Sequence, residues 1–462
     1  MKRSIDKRLD PLKHAASEWG GLLLTVWRQA PTENPAEDVG FVGISMSEPT
    51  QTHPIRIFAA LGSGDIVGSR RENMNRGRTF TTSIAFSDQL FDYCKAAGNP
   101  ILAISSNSRT DNIHDGVVCA ENQPKSRRSS SAKGWRFHAR ELSYSIYLAY
   151  RARRFRADVA FIDSGTTHYF TLTLFRLVGI LVVPNLHNVL WPSGFPPTST
   201  KDQIVRWLNR IFFRNFAAGA IGVSPECERQ VSFEASGRIP FVQYRCQFNQ
   251  QGFATSAEYD GGAFHVAFVG RVEVNKGALD LVEISEILAR TCPVPVIFHV
   301  CGDGAALGSL RELVNRKGLE RAIITHGHLN RDALLKLYSE CHAVIVPTTS
   351  RFPEGMPQVC AEAAIAGLPI VASRLTNATD VIGPAVAEAQ PDNPVSYAEQ
   401  LCRLSSDRSF YRQLRSATAT VSEQFFDRSL SYPAAVDSIL GKLFVDHRSI
   451  REFRTIFTNR GT

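Results

Sequence analysis

The chain has no Cys-x-x-Cys pair, and its nine cysteines, at positions 94, 119, 227, 246, 292, 301, 341, 360 and 402, are scattered and odd in number. That pattern argues against both a zinc site and a disulfide framework, and it fits a reducing cytosol. No apolar run reaches the roughly 18 to 20 residues that span a bilayer. The longest early candidate, residues 20–27, is too short and no cleavage-like pattern follows it, so neither a signal peptide nor an anchor is expected. No Asp-x-Asp cluster stands at a predicted strand end to hold a divalent metal. The turn Gly302-Asp303-Gly304 lacks the third glycine of a dinucleotide fingerprint. No recognised nucleic-acid module accompanies the basic charge, which sets nucleic acid aside as a partner.

What is there is a chain of 462 residues, long enough for roughly two to four domains. The net charge of +8 sits in the first half, where residues 1–250 hold 31 Lys and Arg against 21 Asp and Glu. The densest basic runs are residues 125–140 and 151–156. Such runs are either solvated faces or a surface for anionic lipid or a phosphorylated acceptor.

From Ile55 onward, short β-rich runs alternate with amphipathic stretches, the pattern of parallel sheets covered by helices. Six strands are predicted at 55–61, 100–106, 158–164, 181–187, 220–224 and 240–245, with helices over 88–97 and 202–216. Residues 249–262 are polar, glycine-bearing and without apolar period, and read as a linker. A second series places strands at 265–270, 295–302, 322–327, 342–347 and 369–373, and helices over 278–289, 307–317, 331–341, 358–366 and 394–404. Two doubly wound halves follow, with a ligand expected where the carboxyl ends of both strand sets face each other. Residues 1–54 stand apart as an extension without a functional reading, and the chain beyond 426 reads as a helical tail packed across one or both halves.

The most informative stretch is Glu354-Gly355-Met356-Pro357-Gln358 leading to Glu362. Pro357 suits a first helical position, which leaves Glu354 in the loop and puts Glu362 on the second turn. The unpaired backbone N–H groups at the helix start attract anions. In the same half, the first strand ends in Gly270-Arg271 and is followed by Lys276-Gly277, two cations where a diphosphate could be gripped.

Taken in order, Gly270-Arg271, Lys276-Gly277, Gly302-x-Gly304, Pro347, Glu354-Gly-x-Pro-x4-Glu362-Ala and Gly367-Leu-Pro-Ile-Val-Ala-Ser373 resemble the retaining GT-B glycosyltransferases of family 4, the glycosyl transferases group 1. The resemblance covers about Val266 to Ser373. It implies two Rossmann-like domains, over 55–250 on the acceptor side and 263–425 on the donor side. It also implies transfer of a sugar from a nucleotide-diphosphate donor to a glycan or lipid-linked acceptor, in surface polysaccharide or glycolipid synthesis, with no cofactor or metal.

By that resemblance Arg271 and Lys276 hold the diphosphate, Glu362 binds the ribose hydroxyls and Glu354 lies beside the transferred sugar. The backbone of Gly355, Met356, Pro357 and Gln358 cradles the sugar and distal phosphate, Gly302 belongs to the donor site, and His187 reaches the sugar from the first half. Gly62-Ser63-Gly64 resembles the family's glycine-rich loop near the diphosphate, although the stretch after it, to Thr81, is expected to be a long Arg-rich loop. The cysteine usage points to a cytoplasmic location, and one of the two readings of the basic first half adds peripheral contact with anionic lipid at the inner face of the membrane. An epimerase on the same fold, or a non-catalytic binding protein, are the alternatives.

Overall fold

The computed structural model describes residues 54–76, 82–125, 134–249 and 252–444. The N-terminal extension therefore lies outside the described residues, as does the end of the tail. The first half is an eight-stranded sheet in the order β3-β4-β2-β1-β5-β6-β7-β8. Its strands are β1 (Ile57–Leu61), β2 (Ile101–Ser105), β3 (Asp111–Asp115), β4 (Val118–Asn122), β5 (Val159–Asp163), β6 (Leu181–Leu186), β7 (Ala220–Gly222) and β8 (Phe241–Gln243). All neighbours pair in parallel except β3 with β4. β1 and β2 are buried at every position, as strands covered by helices on both faces must be.

The second half is a wholly parallel six-stranded sheet in the order β11-β10-β9-β12-β13-β14. Its strands are β9 (Phe264–Val269), β10 (Val296–Cys301), β11 (Ile323–Gly327), β12 (Ala343–Val346), β13 (Ile370–Ser373) and β14 (Val386–Ala389). Strand order reverses between β9 and β12, and in the first half between β1 and β5. Loops diverge to opposite faces at each reversal and leave a crevice at the carboxyl ends.

The β3–β4 hairpin and β14 are additions to the predicted strands. The hairpin turns through Gly116, at φ 63°, directly after Asp115, and its short edge strand is rich in charge. The expected loop after Gly64 is instead largely a helix, Ile66–Arg76. Arg70 on it is buried among Asp92 at 2.8 Å, Asp115 at 3.1 Å and Asp88 at 3.7 Å. These partners come from distant segments, so no local pattern announces them. The first basic run from residue 135 and most of the second lie on the 21-residue helix Trp135–Phe155, while residues 126–133 of the first run lie outside the described residues.

The chain passes between the halves twice. After β8, Arg245 and Phe248 donate backbone hydrogen bonds to the carbonyls of Leu430 at 2.7 Å and Phe425 at 3.1 Å, so the outgoing and returning segments are tied to each other. The returning helix, Tyr432–Phe444, packs on the first half against the helix Phe86–Ala97 and strands β7 and β8.

Candidate active site

β9 ends at Val269, and Gly270-Arg271 turn away from the sheet. A short 3-10 turn, Val274–Lys276, is closed by Gly277 at φ 72°. A β-carbon on Gly277 would fall 2.0 Å from the Pro347 carbonyl oxygen, so glycine alone lets this turn lie against the end of β12. That contact brings Lys276 to Glu354. Their side chains form a direct, largely buried ion pair, and Glu354 also accepts from the Thr348 hydroxyl at 3.3 Å. The Lys276 ammonium lies 3.9 Å from the Phe352 ring centroid, which covers the pair. Arg271, by contrast, is exposed and bonded at 3.0 Å to Glu273.

Glu354 lies in a loop, as its sequence context implies. Asn377 fixes that loop: its side-chain amide donates to the carbonyls of Glu354 at 2.6 Å and Gly355 at 2.9 Å. The helix that follows is Gln358–Ile365, and Pro357 is its N-cap rather than its first residue, because its ψ of 131° is extended. Glu362 stands on the second turn. It is buried, and its carboxylate accepts from the Tyr338 hydroxyl at 2.6 Å and from Thr82 of the first half. Burial pushes the Glu362 carboxyl above the ordinary carboxylate range, and the two hydroxyl donors pull it partly back.

Arg271, Lys276, Glu354 and Glu362 line one cavity of about 310 Å³, together with Gly270, Thr348, Pro357 and Gln358. A second cavity of about 300 Å³ lies on the other side of Glu354, Pro357 and Gln358 and is walled by Phe86, His187, Arg245, Met356 and Phe425. The loop 354–358 is thus a partition with a compartment on each side.

His187 follows directly on β6. Its Nδ1 lies 3.1 Å from the Tyr244 hydroxyl, and its Nε2 lies 3.1 Å from the Asn185 amide and 3.3 Å from Asp163. The Tyr244 hydroxyl donates to Asn185 at 2.7 Å, so the imidazole is held between Tyr244 at one ring nitrogen and Asn185 and Asp163 at the other. The ring packs 4.9 Å from Phe86. Ser83 adds a further bond across the cleft, to Gln358 at 3.1 Å.

Gly62, Gly64 and Gly302 line neither cavity. The Gly62 carbonyl accepts from the Ser106 amide at 2.8 Å, which folds its loop onto the end of β2. Gly302 lies against the Gly270 carbonyl, behind the turn that carries Arg271. The sequence reading missed Thr82, Ser83, Tyr338 and Asn377. Thr82, Ser83 and Tyr338 are polar residues whose roles arise only from tertiary contact. Asn377 carried one signal, as an Asn able to adopt the left-handed conformation it shows at φ 56°.

Residues 255–421 match the family model described as glycosyl transferases group 1. The two facing doubly wound sheets are the GT-B fold, and the family segment holds Arg271, Lys276, Glu354 and Glu362. Sucrose-phosphate synthase from Thermosynechococcus elongatus superposes with a TM-score of 0.65 at 15% identity, covering 85% of this chain and 99% of that one. An E. coli structure described as trehalose-6-phosphate bound with UDP-2-fluoro glucose gives 0.61 at 11% identity, over 84% of this chain and 98% of that one. Among curated sequences, alpha-D-kanosaminyltransferase of Streptomyces kanamyceticus is 25% identical over 207 residues, 41% of this chain and 52% of that protein. The matched region thus spans about half the length of that relative.

Proposed function

We propose that this protein is a retaining, metal-independent glycosyltransferase of family 4 that moves a sugar from a nucleotide-diphosphate donor to a glycan or lipid-linked acceptor, in surface polysaccharide or glycolipid synthesis. One observation carries the reading: two cations and two carboxylates separated by up to 91 residues line a single cavity at the β9/β12 reversal.

Breaking a glycosyl phosphate bond leaves negative charge on the departing diphosphate and positive charge on the sugar. Fixed cations at the phosphate stabilise that separation where it is largest. Arg271 and Lys276 supply them, and two cations can take the charge that a divalent metal would otherwise neutralise. Arriving phosphate competes with Glu354 for Lys276, which frees the Glu354 carboxylate for the sugar beside it. The backbone of Gly355 to Gln358 cradles the sugar and distal phosphate, and Glu362 takes the ribose hydroxyls. Gly302 acts around the diphosphate by supporting the turn that carries Arg271, and Gly62 and Gly64 by shaping the first-half loop that follows β1. His187 faces the reaction from the second compartment, where the acceptor enters. The acceptor oxygen replaces the diphosphate at the anomeric carbon, and its proton leaves with the diphosphate or to solvent.

A thermal-shift screen with UDP, GDP and ADP tests the donor site, with UDP first because a neighbour of the same fold is bound with a UDP-sugar. A nucleotide at a hundred times its Kd stabilises the folded state by about 2.7 kcal/mol. One nucleotide should do so. Arg271→Ala should abolish the shift, and Glu354→Ala should keep nucleotide binding while losing transfer. No shift with any nucleotide at millimolar concentration would overturn the donor site.

A further inference from the structure

Ten of the fourteen exposed large hydrophobic residues among the described residues belong to the first half, and four of them are on one helix. Trp135, Leu142, Ile146 and Tyr150 of the helix Trp135–Phe155 are 75%, 45%, 53% and 58% exposed. Their spacings of seven, four and four residues put them in one stripe, and Arg153 extends it by a further turn. Neighbouring elements carry exposed apolar residues as well. The helix Thr173–Leu177, packed beside it, exposes Leu177, and Thr200–Asn215, packed on the adjoining segment 169–172, exposes Ile204 and Trp207.

Charge on the helix Trp135–Phe155 is divided by sign. The only acid of the helix Trp135–Phe155 is Glu141, which is buried and paired with Lys125 at 2.9 Å. Arg151, from the second basic run, is likewise used internally, on Glu121 at 2.7 Å. Arg136, Arg153, Arg154 and Arg156 are exposed, and Arg153, Arg154 and Arg156 surround a hollow of about 440 Å³ beside Gly179. A protein partner would need acids and a shaped contact to meet this face. A bilayer of anionic lipid supplies the acidic groups and needs no shaped contact, with tryptophan and aliphatic side chains entering the headgroup boundary while arginines hold phosphates.

We propose that this helical layer, centred on Trp135, Leu142, Ile146, Tyr150, Arg153 and Arg154, docks the protein on an anionic membrane surface. Residue 134 follows β4 and residue 156 precedes the parallel strand β5, so the helix runs back against the strands. Trp135 is therefore at the end nearest the cleft. Docking along the stripe would hold the first half, with the carboxyl ends of its strands, beside the membrane surface. The inference specifies the surface for a lipid-linked acceptor in the reading above, but does not depend on the donor chemistry.

Co-sedimentation of the full chain with vesicles of phosphatidylcholine alone, and with 30 mole per cent phosphatidylglycerol added, tests it. The wild type should bind the anionic vesicles and lose binding in high salt. Arg153→Glu with Arg154→Glu should weaken binding on the order of five- to tenfold per residue. Trp135→Ser with Ile146→Ser should weaken it even at low salt, with unchanged melting temperature and an unchanged nucleotide-induced shift. Full binding by both double variants would overturn the surface while leaving a membrane contact elsewhere. No binding by the wild type, or a concentration-dependent dimer that both double variants abolish, would overturn the docking itself and leave the donor site untouched.

Discussion

The carbonyl oxygen of His187 lies 1.9 Å from where a β-carbon on Gly355 would stand. One residue follows a strand of the first sheet and the other belongs to the loop that carries Glu354. The two sheets thus meet backbone to backbone at this point, and only a residue without a side chain fits. Gly355→Ala should push the halves apart or displace the loop. Overpacking of this kind costs about 1–3 kcal/mol. The expected outcome is a lowered melting temperature with transfer falling at least tenfold, and an alanine variant with wild-type values of both would remove the contact from the account.

Asn377 spends both amide protons on the carbonyls of Glu354 and Gly355. Asn377→Asp replaces the donor by an oxygen facing two carbonyls, and each buried group left unpaired costs about 1–3 kcal/mol. Asn377→Gly keeps the left-handed backbone and leaves a gap instead. Transfer should therefore fall further in Asp than in Gly, while circular dichroism reports an intact fold in both. Equal losses in the two would mean that the amide only fills space.

Glu362 gives a pH-dependent prediction. Its carboxyl is raised by burial, so the folded state binds its proton more tightly than the unfolded chain. The stability this contributes is complete below the ordinary glutamate range and is lost as pH rises through the folded value. Glu362→Gln removes that loss. Its melting temperature should exceed that of the wild type by about 1–2 °C at pH 8 and match it near pH 4. Binding of the stabilising nucleotide should weaken about tenfold, the order of one lost charge-assisted hydrogen bond.

Three imidazoles run across the second sheet: His265 and His299 are 2.8 Å apart, and His299 and His326 3.0 Å, with His342 bonded to the His265 amide at 3.0 Å. Burial, reinforced by His265 and His326, lowers His299 to about 4. Burial, with His265 and Arg415 adding to it against Asp260, lowers His342 to about 4. Between pH 6.5 and 4 these two histidines bind more protons in the unfolded chain than in the folded one, so the stability they contribute falls as pH falls. His299→Gln should flatten that decline in urea titrations taken at each pH, and an unchanged slope would place the acid sensitivity elsewhere.

How much of this was legible before the structure depends on the reach of each signal. The eleven predicted strands recur within a residue or two because each is carried by a continuous β-rich run, most of them buried as parallel strands between helices, and such runs are local. Glu354, Gly355 and Pro357 were readable because loop, turn and helix start follow one another in sequence. The pairing of Lys276 with Glu354 was not, since it needs the Gly277 turn to seat against Pro347. Thr82 and Glu362 are 280 residues apart, and neither a hydroxyl nor a carboxylate announces such a partner in its own neighbourhood. The long helix Trp135–Phe155 was hidden for another reason. Its arginines and exposed aromatics interrupt the apolar period that would have marked it.

Tyr432, Val436 and Ile439 of the returning helix are fully buried, and the Ile439 side chain fills the space beside Gly219 of the first half. Each such burial is worth about 1.5–3 kcal/mol, and together they approach the whole net stability of an ordinary domain. The family segment 255–421 stops short of this helix. A cut at that boundary would therefore do more than divide one sheet from the other: the first half would lose part of its own interior. Fragments meant to isolate either half should keep residues 432–444 with the first, joined by a designed bridge, because the unit that folds is not contiguous along the chain.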